Sequence, residues 1–231
     1  MDRICHELRR PLAVIHAFAE LLDDEISGAL NDGQKDQVMT ILGASNELSL
    51  LVHSLYGLAE IDAGRLNLVN THEDLNKICR RIYEQYLPHY QAANVGFTLD
   101  LEDEERVAVL VDERRLALSI AHLVENGLKY TPPGREVTMH VGSDGEWARV
   151  RVQDSGLGIP PSDLESVFGR YHRVADDRRE YSAKGAGIGL TICRANVEAL
   201  GGTVTASNES GGACFTLTIP FNATYSNTAS V

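Results

Sequence analysis

The sequence predicts an α-helical hairpin over residues 1–64, an α/β sandwich with a mixed sheet covered by helices over 65–221, and a polar tail over 222–231. Three observations predict it. Apolar residues before position 62 recur at helical spacing and fall into heptads. Beyond Ala63-Gly64 the pattern turns to short alternating runs separated by helical stretches. At 231 residues and 43% hydrophobic composition, the chain is also long enough to bury a real core.

At about 100° per residue, Ile4, Leu8, Ile15, Phe18 and Leu22 share one stripe of a helix over about 2–25, and His6 falls near the middle of the opposite face. Pro11 cannot donate to the carbonyl of Glu7 and its ring crowds that group, so the helix is expected to bend beside His6. Gly, Asn and Asp at 27–33 read as a turn. Val38, Ile41, Ser45, Leu48, Val52, Leu55 and Ala59 then form a heptad seam. Two such helices cannot enclose a core alone. The seam therefore predicts pairing with a second copy through residues 1–62, a dimeric four-helix bundle; packing on the chain's own second part is the alternative.

In the second part, 66–69 reads as a short strand, and Thr71-His-Glu-Asp74 resembles a capping box opening a helix to about Tyr90. Strands follow at 95–101 and 107–111, a helix at 113–128, and strands at 137–141 and 147–154. A helix from about 188 to 200 stops at Gly201-Gly202, and strands at 203–207 and 214–219 close the sheet. The tail after Pro220 is expected to fray.

A formal net charge of −12 argues against a non-specific nucleic-acid binder or a protein held on anionic membrane. Cys5, Cys79, Cys193 and Cys214 show neither CxxC nor Cys/His zinc spacing, which fits a reduced compartment better than a disulfide framework. No run of about 18 apolar residues and no signal-peptide pattern occurs, so no direct membrane contact is expected and the location is read as cytoplasmic.

Three stretches carry chemistry in company rather than alone. In HLVENGLKYTPPG, residues 122–134, Asn126 and Lys129 lie three apart on one helix face, where an amide oxygen can bind Mg²⁺ and an ammonium can meet phosphate. In DSGLGIP, residues 154–160, Asp154 ends a strand and Gly156 and Gly158 let a ligand approach the backbone. In GAGIGL, residues 185–190, glycines lead into a helix N-terminus, whose unpaired N–H groups favour phosphate. The intervening residues 168–184 have the length of an active-site lid, or of an ordinary exposed charged loop.

HELRRPL at 6–12, then ENGLKYTP, DSGLGIP and GAGIGL, in that order, closely resemble the sensor histidine kinases of two-component systems, whose nucleotide domain belongs to the GHKL (Bergerat-type) ATPase group. The resemblance implies a dimerisation and histidine-phosphotransfer domain at 1–64 and a catalytic ATP-binding domain at 65–221. It makes His6 the phosphoacceptor and Glu7 its acid/base partner. Asn126 becomes the Mg²⁺ ligand, with Lys129 and Tyr130 on phosphates and ribose. Asp154 accepts the adenine amino hydrogen, and Gly156 and Gly158 flank the base. Gly185, Gly187 and Gly189 form the phosphate-side loop, with Arg170 and Arg173 near the lid as weaker phosphate contacts. ATP and Mg²⁺ are the implied cofactors, a response-regulator receiver domain the implied partner, and the chain is the cytoplasmic part of a longer sensor or cytoplasmic in its own right.

Three residues depart from the family pattern, the least of them Ala213, where a hydroxyl residue is common before the final strand. Arg10 stands where Thr or Asn is usual, four residues after the histidine; a bulky cation cannot orient an attacking water, so weak phosphatase activity is expected. His122 stands where Asn is usual, and as a metal ligand or a helix-packing residue it reads equally well. The hydrolysing GHKL ATPases carry a Glu base at that position, and its absence disfavours a gyrase- or chaperone-type ATPase; with the phosphoacceptor motif it also disfavours a serine kinase. A non-catalytic nucleotide-binding dimer or phosphotransfer scaffold is the alternative function.

Overall fold

The computed structural model describes residues 2–26, 28–62, 68–102, 106–172, 174 and 187–221. The side chains of 2–9, 46–47, 50–51, 53–56, 58 and 60–62 lie outside that description. The chain divides into two compact units, Met1–Arg65 and Leu66–Val231.

The first unit is a hairpin of α1 (Asp2–Asp23) and α2 (Asp32–Asp62). Pro11 lies inside α1, and the helical backbone continues on both sides of it. At the connection, Glu25 adopts the left-handed conformation and its carboxylate takes the Lys35 ammonium at 2.8 Å and the Leu30 N–H at 3.3 Å. That clamp lowers the carboxyl pKa, first through the hydrogen bond from Lys35.

Within the hairpin Leu12 and Ala19 of α1 and Val38, Leu42, Ser45 and Val52 of α2 are buried. The stripe expected of α1 behaves differently: Ile15, Phe18 and Leu22 are exposed, Phe18 at 63%. In α2 the seam divides, with Val38, Ser45 and Val52 turned inward and Ile41 and Leu48 exposed. One hairpin closes along one line of each helix and leaves a second apolar line uncovered. Ile4, Leu8 and Leu55 fall outside the described side chains.

The second unit holds β1 (Thr71–Asp74), α3 (Leu75–Ala92), β2 (Gly96–Leu101), β3 (Ala108–Val111), α4 (Glu113–Tyr130), β4 (Glu136–Ser143), β5 (Trp147–Asp154), α5 (Gly189–Ala199), β6 (Thr203–Glu209) and β7 (Gly212–Pro220). The main sheet has the order β2-β4-β5-β7-β6, with β2 and β4 parallel and the other pairs antiparallel, so it is mixed. Ala148, Val150, Val152 and Asp154 of β5 are buried while Arg149 between them is exposed, the alternation of a sheet covered on one face. Buried residues of α3, α4 and α5 join those of the sheet in one core.

Two expectations change here. Thr71–Asp74 is a strand, paired antiparallel with Ala108–Val111 in a second, two-stranded sheet. The α3 cap is Asp74, whose carboxylate accepts from the Asn76 N–H at 3.1 Å. Residues 68–70 form no strand, and 66–67 lie outside the described residues. Thr71 carries a local capping pattern, but ladder bonds to β3 satisfy its backbone instead.

Tyr90 pins α3 to α4: its hydroxyl donates to the Val124 carbonyl at 2.7 Å and its ring stacks on Phe97. At the far end, α5 stops in a Schellman turn. Gly201 (φ +79°) donates to Glu198 and Gly202 to Val197. A Cβ on Gly202 would overlap the Thr218 carbonyl oxygen of β7. Gly202→Ala is therefore expected to lower unfolding stability by about 3 kcal/mol, read as a fall in the denaturant midpoint at unchanged slope.

Candidate functional site

Helix α4 begins at Asp112, whose Oδ1 accepts from the Arg115 N–H at 3.1 Å and whose Oδ2 accepts from the Val69 N–H at 3.1 Å. From that cap the helix presents His122, Asn126, Lys129 and Tyr130 at spacings of four, three and one. This places them along one side over about 12 Å. Each end of the row touches a glycine motif. A Cβ on Gly189 would stand 3.0 Å from His122 Nδ1, and a Cβ on Gly156 would stand 2.6 Å from the Tyr130 carbonyl oxygen. Glycine at both positions is what lets α5 and the loop after β5 approach α4 so closely.

Asp154 closes β5 and is 7% exposed. Its Oδ1 accepts from the Gly156 N–H at 2.8 Å and from the Ala213 N–H at 3.0 Å. Two backbone donors fix the plane of the carboxylate. A Cβ on Gly212 would overlap the Asp154 carbonyl oxygen, so β7 too is held close. Gly158 (φ +68°) needs the left-handed region, and the Asn208 amide spans the loop there, accepting from the Ile159 N–H at 2.8 Å and donating to the Ile159 carbonyl at 2.6 Å. Asn208, Gly212 and the Ala213 amide escape sequence reasoning. SNESGG reads only as a turn, and it is one: Ser210 and Gly211, both with positive φ, join β6 to β7.

Gly187 (φ +66°) is stitched to the start of the segment between the motifs: the Tyr171 N–H donates to its carbonyl at 2.9 Å. The first residues of that segment are anchored, with His172 Nε2 at 2.9 Å from Asp163 Oδ1 and the Arg194 guanidinium over the Phe168 ring at 4.0 Å. Arg170 is exposed at this neck. Arg173, Gly185 and most of the expected lid lie outside the described residues. His6 and Glu7 belong to the α1 backbone, and their side chains are likewise outside them; Arg10, one turn further on, is exposed.

The structure thus brings Asn126, Lys129, Tyr130, Asp154, Gly156, Gly158 and Gly189 to α4 and the loops packed against its two ends. Among the described residues no group of three or more His, Cys, Asp and Glu is placed to hold a metal ion. An Asn amide oxygen one turn before the end of α4 suits Mg²⁺, which keeps water and substrate phosphates as its other ligands. Among the described residues no helix is long and apolar enough to cross a membrane.

The chain is a helical hairpin with a histidine in its first helix, followed by an α/β unit with an Asn-bearing helix between two glycine loops. Residues 1–64 match the His Kinase A (phospho-acceptor) domain, and residues 111–223 match the histidine kinase-, DNA gyrase B- and HSP90-like ATPase domain. The chain belongs to the sensor histidine kinase family. The sensor protein DivL of Caulobacter vibrioides is 33% identical over 222 residues, which cover 95% of this chain and 27% of that protein. Full-length ShkA in complex with AMPPNP is similar in structure at a TM-score of 0.66 and 24% identity, covering 95% of this chain and 45% of that one. The histidine kinase ThkA in complex with the response regulator TrrA is similar at 0.61 and 24%, covering 96% and 60%. The chain spans about a quarter of DivL.

Proposed function

We propose that the chain is an ATP-dependent protein-histidine kinase that phosphorylates itself on His6 and passes the phosphoryl group to an aspartate of a response-regulator receiver domain. The observation that carries this reading is the α4 row, touching Gly189 at one end and Gly156 at the other, with Asn126 and Lys129 between them. A nucleotide lies along that row with its base at Asp154 and its phosphates toward α5. The Asp154 carboxylate accepts the adenine amino hydrogen. Gly158 leaves room beside the base, Tyr130 flanks the ribose and Lys129 neutralises phosphate charge. Gly187 and Gly189, with Gly185 before them, supply backbone N–H groups to the phosphates, and Arg170 and Arg173 border the same side. Asn126 holds Mg²⁺, which supplies charge neutralisation at the phosphates when bound.

The chemistry needs position and charge neutralisation more than covalent help. One nitrogen of the neutral His6 imidazole attacks the γ-phosphorus. The P–N bond forms as the bond to the bridging oxygen breaks and ADP leaves, while Glu7 accepts the proton from the other ring nitrogen. In the second step a receiver carboxylate oxygen attacks the phosphorus, the P–N bond breaks, and Glu7 returns its proton to the ring as the neutral imidazole leaves. The uncovered apolar line of Ile15, Phe18, Leu22, Ile41 and Leu48 supports a homodimer through residues 1–62.

The test is incubation with γ-labelled ATP and Mg²⁺, then addition of a receiver domain. Acid-labile label on this chain that moves to the receiver supports the reading, whereas nucleotide binding without label supports a non-catalytic scaffold. Arg10, exposed one turn after the phosphoacceptor, puts a bulky cation where a hydroxyl or amide would orient water for dephosphorylation of the receiver. Arg10→Thr is expected to raise dephosphorylation of the phosphorylated receiver by about tenfold, measured as loss of receiver label after ATP is removed.

A further inference from the structure

We propose that His122 is a positioning residue for the phosphate side of the nucleotide site, its buried imidazole setting where the N-terminus of α5 stands against α4. The proposal rests on the nucleotide-binding reading above. Three contacts at helical spacing run along the α4–α5 seam, in opposite chain directions. Arg115 Nη1 donates to Asn196 Oδ1 at 3.2 Å; the Cys193 thiol is hydrogen-bonded with Ser119 and held up at about 12 by burial; and the His122 ring lies on Gly189. Positions 115, 119 and 122 share a face of α4, as 196, 193 and 189 do of α5. His122 is the last rung, at the end of α5 that faces phosphate.

Gly189 shows what the ring does. Its φ lies outside the left-handed region, so the backbone does not require glycine. What a side chain would meet is His122: Nδ1 at 3.0 Å and Cε1 and Cγ at 3.4 Å. The imidazole is 4% exposed, and its Nδ1 edge is turned to Gly189 and to Glu125 Oε2 at 3.9 Å, so that edge faces protein rather than a metal. No side chain caps the first turn of α5 at Ile188, which leaves the seating of Gly189 to fix where that turn's N–H groups stand. The ring acts by shape, through the backbone it supports.

The full chain is titrated with ATP, ADP and adenosine, each in Mg²⁺ and again in EDTA. His122→Ala is expected to weaken ATP and ADP about tenfold in both media and to change adenosine by less than about twofold. His122→Phe, which refills the seat without ring nitrogens, is expected to restore wild-type affinity. Gly189→Ala is expected to weaken ATP and ADP alone, and to recover most of that loss when combined with His122→Ala, whose vacated space takes the new methyl. A loss confined to Mg²⁺ with Phe failing to rescue, or two substitutions that simply add, overturns this proposal while wild-type binding leaves the functional reading standing. A wild-type chain that binds no nucleotide overturns both.

Discussion

Replacing His6 by Gln is expected to abolish acid-labile labelling of this chain from γ-labelled ATP, to below about 1% of wild type, while ATP affinity stays within about twofold. The reasoning is chemical rather than conformational. Only an imidazole nitrogen with an available lone pair can form the P–N bond; an amide nitrogen at neutral pH is no nucleophile. Glutamine is a good helix former of similar length, so α1, which already accommodates Pro11, should keep its backbone. The residues proposed to contact nucleotide belong to the second compact unit, so binding is not expected to follow the label. Label that survives the substitution, or resists acid, would place the acceptor elsewhere and favour a hydroxyl-directed kinase. Joint loss of label and ATP affinity would mean instead that the two units do not act separately.

What could be read from the sequence was mainly what is decided locally. Strand β5 matches its expected bounds at both ends because burial of every second residue sets its period. The α4 row and the Asp154-to-Gly158 loop were legible because their residues are close in sequence. Asp154, Gly156 and Gly158 lie within five positions, and two of them are tied directly by a hydrogen bond. The misreadings are non-local. Thr71 followed by Asp74 satisfies a capping pattern, yet β3, more than thirty residues away, takes that segment into a ladder and only Asp74 caps. Asn208 holds Ile159 across 49 positions, and the His122 contact with Gly189 spans 67. No composition or period marks such a pair before the chain is folded. The division of the α2 seam is a third case: heptad spacing identifies apolar positions but not which of two neighbouring helices covers each one.

Asp154→Asn is expected to reduce ATP affinity about 100-fold, roughly 2.7 kcal/mol, while changing unfolding stability by less than about 1 kcal/mol. In the native chain, Oδ1 accepts from Gly156 and Ala213, and a carbonyl oxygen of an asparagine in the same place can accept both. The fold therefore keeps its buried donors satisfied. What changes is the group offered to the base in the proposed pose: an NH₂ would face the adenine amino group, donor against donor, at a residue that is only 7% exposed. The same NH₂ can donate to a carbonyl oxygen, so the preference for ATP over GTP should narrow or reverse. Asp154→Ala separates the two roles. It removes the acceptor for both N–H groups, and stability is then expected to fall by about 2–4 kcal/mol together with affinity. Equilibrium titration of ATP and GTP, with denaturant unfolding of each variant, distinguishes these outcomes. An Asn variant that keeps full ATP affinity would remove Asp154 from base recognition and leave it as the brace between the β5 loop and β7.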